Sequence, residues 1–288
     1  MRKHLFTGAC TAMVTPFLDG KINYPMMEVL LQRQVDAKIP AVVIAGTTGE
    51  SATLTDEEKI KLFHQCKQLL GNQTLMIAGT GSNSTAHSIA LSIAAENAGA
   101  DALLIVSPYY NKATPKGLIA HYTAISKSVN IPIIIYNVPT RTGVDVPVGV
   151  YKELSKLHNV VGVKEASSDI TKIARIRNAC GKHFSIWSGN DDQIVPAMAL
   201  GGQGVISVLS NVVPDDVSIL CDAIISGDID IAADIQCRLL PLIDALFSEV
   251  NPIPVKAAMR EIGYDCGSCR LPLCDISPEN LIQLQKHL

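Results

Sequence analysis

Short apolar, β-branched runs recur along the chain, at 9–14, 41–45, 74–78, 102–106, 131–136, 160–164, 184–188 and 204–209. Each is nearly continuous rather than alternating, which is the pattern of a strand covered on both faces. Between them lie segments with helical spacing, at 26–37, 85–98, 116–128, 148–157, 171–179, 193–200 and 214–225. A further helix is announced by Thr55, placed to cap Asp56, Glu57 and Glu58 ahead of Ile60, Leu62 and Phe63. Strand and helix alternate eight times. Continuous apolar strands joined by right-handed helical crossovers close, at that number, into a (β/α)₈ TIM barrel. An open doubly wound sheet would carry a Gly-rich phosphate loop after its first strand, and VTPFLDG at 14–20 is not one.

After Ser226 the strands stop, and helical stretches follow near 230–247, 254–262 and 278–287. The pattern therefore predicts a catalytic α/β barrel over 1–226 and a C-terminal helical appendage over 227–288. No low-complexity linker separates them, so the appendage is expected to pack on the barrel.

Composition narrows the partners. The 288 residues are 48% hydrophobic, with 24 basic against 27 acidic side chains and a formal net charge of -3. Without a run of like charges there is no field to draw in nucleic acid or an anionic membrane, and both are excluded as expected partners. No apolar run approaches the ~18–20 residues of a membrane span, and the basic start is broken by Thr7, Gly8 and Thr11 before any export-type apolar block. A cytoplasmic protein is expected. The eight cysteines read as reduced thiols. Cys266 and Cys269 form a C-x-x-C with Cys274 nearby, but a zinc site wants a second matching pair, so no metal is expected there.

In such a barrel, chemistry sits at the C-terminal ends of the strands. Those ends carry Gly46 to Ser51, Gly79 to Gly81, Pro108 to Asn111, Tyr136 and Asn137 with Arg141 beyond, Lys164 and Glu165, Gly189 to Asp191, and Ser207. Lys164 closes an apolar strand and shares a pleat face with Gly162, small enough to leave room beside it. A free lysine titrates at ~10.4, so nucleophilic chemistry would require desolvation to lower it to ~7. Such an amine attacks ketones, and the resulting Schiff base is an electron sink. Tyr136 is placed to relay protons. Thr47 and Thr48 can offer hydroxyls and N–H groups to a carboxylate, and Arg141 can clamp a second one. Taken singly, each has a plainer reading: a snorkelling lysine, a packing tyrosine, a tight turn and a surface ion pair.

VTPF at 14–17, GTTGES at 46–51, SPYYN at 107–111, YNVPTRTG at 136–143, GVKEAS at 162–167, SGND at 188–191 and NPIPVK at 251–256 together resemble the dihydrodipicolinate synthase family. The resemblance spans essentially the whole chain, and GTTGE with YN-x-P-x-R-T-G is its most specific part. The family lies among the pyruvate-dependent Schiff-base aldolases, which include N-acetylneuraminate lyase. It implies that Lys164 forms an imine with pyruvate. Tyr136, Thr48 and Tyr110 would then relay protons, Tyr110 reaching in from the neighbouring subunit of a tight dimer. It further implies that Thr47 and Thr48 hold the pyruvate carboxylate, that Arg141 holds that of L-aspartate 4-semialdehyde, and that Gly189 and Ile206 line the pocket. No cofactor is implied, and a homo-oligomer, a tetramer of tight dimers, is expected.

Many family members are inhibited by lysine, and Ser51, Ala52, Asn83 and Tyr109 match that regulatory pocket. His87 stands at its glutamate position, and Asp56 and Lys59 stand where lysine-sensitive members often place histidines. Weak or absent lysine feedback is expected. The rival functions are another pyruvate aldolase, acting on N-acetylneuraminate or a 2-keto-3-deoxy sugar acid, and a non-catalytic barrel. A phosphate-handling isomerase would want a Gly-rich loop that residues 207–211 do not supply.

Overall fold

The computed structural model describes residues 4–288; the basic start at 1–3, read above for an export signal, lies outside them. Eight parallel strands close into a barrel in chain order. They are β1 (Gly8–Ala12), β2 (Ala41–Ile44), β3 (Leu75–Gly79), β4 (Ala102–Val106), β5 (Ile133–Asn137), β6 (Val160–Glu165), β7 (Ser185–Ser188) and β8 (Gly204–Ser207). The seam is β8 against β1, with Gly204 opposite Gly8 and Ser207 opposite Thr11. All eight apolar runs became strands. The fifth begins two residues later than the apolar run suggests, after Pro132, which lacks the N–H a ladder needs.

Eight helices alternate with them: α1 (Tyr24–Asp36), α2 (Asp56–Leu70), α3 (Thr85–Asn97), α4 (Pro115–Ser126), α5 (Val148–Leu154), α6 (Thr171–Cys180), α7 (Ile194–Ala199) and α8 (Pro214–Ser226). Thr55 caps α2 as expected, in a reciprocal box. Its hydroxyl accepts from Glu58 N at 3.2 Å, and Glu58 Oε2 accepts from Thr55 N at 3.0 Å. A two-stranded ribbon, Phe17–Leu18 with Lys21–Ile22, was not legible in the sequence because two residues carry no period.

The strands are apolar on both faces because they serve two cores. On β2, Ala41 and Val43 point into the barrel while Val42 and Ile44 meet the helices; on β5, Ile134 and Tyr136 point inward while Ile133 and Ile135 point outward. Toward the N-terminal end of the interior, Phe6 stacks on Trp187 with ring centroids 4.6 Å apart. This corrects the expectation for Gly162. A Cβ there would strike Trp187 Cζ3 at 2.8 Å and Ser185 O at 2.3 Å, so this glycine makes room for the indole and the neighbouring strand rather than for Lys164.

Three helices follow the barrel, α9 (Ile229–Leu246), α10 (Ile253–Glu261) and α11 (Pro278–Gln285). They pack on it rather than stand free. On α9, Gln236 donates to the main-chain oxygen of Asp191 at 2.9 Å, tying the helix to the loop that leaves β7. Among the described residues no helix is long and apolar enough to cross a membrane.

Candidate active site

Lys164 lies on β6 opposite Tyr136 of β5 and Trp187 of β7, and its side chain enters the barrel interior. It is 5% exposed, and its Nζ lies 4.7 Å from the centroid of the Tyr136 ring. That ring is itself 7% exposed. The amine therefore sits against an aromatic face at the mouth of the barrel.

Gly189, just past β7, provides the room. A Cβ at this position would fall 3.0 Å from Lys164 Cε and 2.5 Å from Ala166 Cβ. Ile206 of β8 is buried in the interior cluster that holds Tyr136 and Trp187. Cys10 on β1 belongs to the same cluster; burial pushes its thiol up, and the Lys164 charge partly opposes that.

The segment after β2 turns tightly: Gly49 N donates to Gly46 O at 3.1 Å and Glu50 N to Thr47 O at 3.0 Å. Glu50 sits in the left-handed region, at φ 56°. Thr48 is buried, and its hydroxyl oxygen accepts from Asn251 Nδ2 at 3.0 Å. That bond occupies one Thr48 lone pair and leaves its proton free to be donated elsewhere. Glu50 is locked from two sides, accepting from Lys256 Nζ and from Arg270 N, each at 2.8 Å. The GTTGES and NPIPVK segments, far apart in sequence, thus form one unit.

Arg141 lies on a single helical turn, Pro139–Thr142, that follows β5. It is exposed at the rim and donates from Nη2 to Asn251 O at 3.3 Å. Asn251 therefore touches both the buried threonine and the rim arginine, and its own Oδ1 is buried without a partner. Spacing alone gave no sign of Asn251 or Lys256; only the NPIPVK resemblance pointed to that segment.

A cavity of about 320 Å³ opens here, lined by Thr47, Arg141, Asn251, Tyr109 and Leu273 among others. A recess of about 50 Å³ adjoins it through Thr47, Ser51, Gly81 and Val106, and reaches Tyr136. Ser51 and Ala52, matched above to a regulatory pocket, line the larger cavity as well. Tyr110 is not brought to Tyr136 within the chain. It is 90% exposed with φ 71°, at the tip of the segment after β4.

Asn83 donates to Tyr109 O at 3.4 Å, so these two residues are joined. His87 on α3 bonds Ser82 Oγ at 3.1 Å through Nδ1 and Asp56 Oδ2 at 2.8 Å through Nε2. Lys59 Nζ stands 3.9 Å from Asp56. Burial lowers the Lys59 ammonium below its usual range and Asp56 opposes the shift.

Two buried carboxylates support the rim. Asp191 Oδ2 accepts from Val208 N at 2.9 Å and Leu209 N at 3.0 Å, holding the loop after β8. Burial pushes its pKa up, opposed by those hydrogen bonds and by the Lys164 charge. Glu165 accepts from Asn137 Nδ2 at 2.8 Å and from Ser167 N at 2.9 Å, and so clamps the exit of β5 to that of β6 next to Lys164.

A lysine amine enclosed at the mouth of a (β/α)₈ barrel beside a phenol, with a cation at the rim, defines an aldolase-type lyase site. The sequence matches the profile of the dihydrodipicolinate synthetase family over residues 5–288. It is 48% identical over 285 residues to 4-hydroxy-tetrahydrodipicolinate synthase of Thermoanaerobacter sp. (strain X514), covering 99% of this chain and 96% of that one. A solved dihydrodipicolinate synthase from Thermotoga maritima superposes with a TM-score of 0.96 at 40% identity, covering 99% of this chain and 98% of that one. A neighbour described as a monomeric dihydrodipicolinate synthase variant also gives 0.96 at 40% identity, covering 98% and 95%. The chain belongs to the dihydrodipicolinate synthetase family.

Proposed function

We propose that the protein is an enzyme that condenses pyruvate with L-aspartate 4-semialdehyde to 4-hydroxy-tetrahydrodipicolinate, in diaminopimelate and lysine biosynthesis. The observation that carries this reading is the buried Lys164 amine facing Tyr136 inside the barrel mouth, in a full-length member of the family. In this reading the barrel over 1–226 carries the chemistry and residues 227–288 brace it.

Lys164 Nζ attacks the ketone carbon of pyruvate, and loss of water leaves an imine. The imine withdraws electrons, so a methyl proton departs and an enamine forms. The enamine carbon attacks the aldehyde carbon of the semialdehyde, whose oxygen takes a proton. The substrate amine then displaces Lys164 from the imine carbon, regenerating the free lysine as the ring closes. Tyr136 and Thr48 shuttle the protons, with Tyr110 supplied by a second chain, which its exposure favours. The main chain around Thr47 and Thr48 holds the pyruvate carboxylate, and Arg141 holds the aldehyde's carboxylate. Gly189 and Ile206 shape the pocket wall. Only small-molecule substrates and further copies of the chain are partners, in a cytoplasmic tetramer of tight dimers.

Borohydride added with pyruvate should fix a reduced pyruvyl group on Lys164, and the product-coupled assay should accept L-aspartate 4-semialdehyde over N-acetylmannosamine. Trapping that persists in Lys164→Ala, or turnover with the sugar alone, would sink the reading. Lysine inhibition is expected to be weak, because His87 and Asp56 already satisfy each other and Lys59 adds positive charge. Strong inhibition by millimolar lysine in that assay would overturn this.

A further inference from the structure

The C-x-x-C spacing suggests Cys266 and Cys269 as partners, but the fold separates their surroundings. Cys266 is fully buried, and its carbonyl accepts from Phe17 N at 2.9 Å. Cys269 is half-buried and Cys274 is exposed; both are free thiols. Between those two the chain reverses, with Leu273 N donating to Arg270 O at 3.1 Å. Just outside, Ser268 Oγ donates to Asp275 Oδ2 at 3.1 Å. These two bonds bracket Cys269 and Cys274 on opposite limbs of the turn. The ends of such a turn lie within about 7 Å of each other at Cα, and just beyond them Cys274 acts electrostatically on the Cys269 thiol, so the two sulfurs are neighbours. A disulfide spans about 4.4–6.8 Å.

We infer that Cys269 and Cys274 form a reversible disulfide across the turn at 270–273, by exchange with a low-molecular-weight disulfide such as oxidised glutathione. The thiolate of exposed Cys274 attacks one glutathione sulfur and releases a glutathione thiolate. The Cys269 sulfur then displaces the second glutathione from the mixed disulfide, and its proton passes through solvent to a released thiolate. Overall the two protein thiols lose two electrons and two protons, and one glutathione disulfide becomes two glutathione thiols. Burial pushes the Cys269 thiol up to about 12, which leaves first attack to Cys274 and makes the second displacement the slower step.

The turn is part of the site's wall. Pro272 and Leu273 line the cavity that Arg141 borders, and Arg270 N holds Glu50. A closed disulfide stiffens that wall.

Trypsin cuts after Arg260, Arg270 and Lys286, leaving Cys269 on peptide 261–270 and Cys274 on peptide 271–286. After incubation of the enzyme with oxidised glutathione and alkylation of remaining thiols, the two peptides should appear joined. They should be freed by dithiothreitol, stay joined in Cys266→Ala and remain separate in Cys274→Ser. The oxidised enzyme should show a KM for the aldehyde changed at least twofold, with the change absent in Cys274→Ser. A disulfide confined to peptide 261–270, glutathione persisting on Cys274, or an unchanged KM in the cross-linked enzyme would overturn the inference.

Discussion

His121 shows how one buried side chain sets the acid limit of the fold. On α4 it bonds Thr85 Oγ1 at 2.9 Å through Nδ1 and meets Tyr122 edge-on, while its Nε2 is buried without a partner. Burial lowers it from the ordinary 6.5 to about 4. Above pH ~6.5 both folded and unfolded chains carry it neutral, and stability is intact. As the pH falls toward ~4 the unfolded chain takes up the proton first, so stability drains away across that window. Between pH 7 and pH 5 His121 alone should cost about 2 kcal/mol. Urea unfolding of His121→Gln at both pH values should show a loss smaller by that amount; an equal loss would refute the assignment. At this scale Lys164 was legible, since a lysine ending an apolar strand stands out. Which glycine gives it room was not. Gly162 shares its strand face but abuts Trp187, and Gly189 was settled by packing between neighbouring strands.

Among the elements, the turn after β2 depends on the C-terminal helices. Lys256 on α10 and Glu50 are 3% and 0% exposed at their side chains, and Lys256 also donates to Ser268 O at 3.1 Å. Truncating one partner strands the other's charge in the interior, a change that costs about 3–5 kcal/mol. Lys256→Met should therefore lower unfolding free energy by about 3 kcal/mol in urea titration. Glu50→Gln combined with Lys256→Met should recover part of the loss, because no uncompensated charge remains. A single variant as stable as the wild type would show that the pair is not the brace. The strands and helices themselves followed from apolar runs and caps such as Thr55. Their mutual bracing did not, because a charge pair between 50 and 256 leaves no local period.

For the whole molecule, the question is whether one chain completes its own site. Tyr110 stands exposed at a rim segment while Lys164, Tyr136 and Thr48 are enclosed. If a second chain supplies the phenol, inactive Tyr110→Phe and Lys164→Ala chains should complement each other. Mixed and reassembled, they should regain roughly a quarter of wild-type activity, because each mixed dimer rebuilds one intact site of two and random pairing makes half the dimers mixed. No recovery from demonstrated mixed dimers would place Tyr110 outside the relay.

The eight apolar runs determined the strand count, and with it the barrel and the end of each strand at which chemistry collects. This worked because burial on both faces is written into composition locally. The segment 46–51, Tyr136, Arg141 and Lys164 were legible for the same reason, as polar residues at ends of apolar runs. Tertiary structure alone decided which of two apolar faces points inward, that Asn251 meets both Thr48 and Arg141, and that a closed turn sets Cys269 and Cys274 on opposite limbs. These depend on strand register, chain reversal and contacts between distant segments, and spacing along a chain does not encode which distant residue fills a given space.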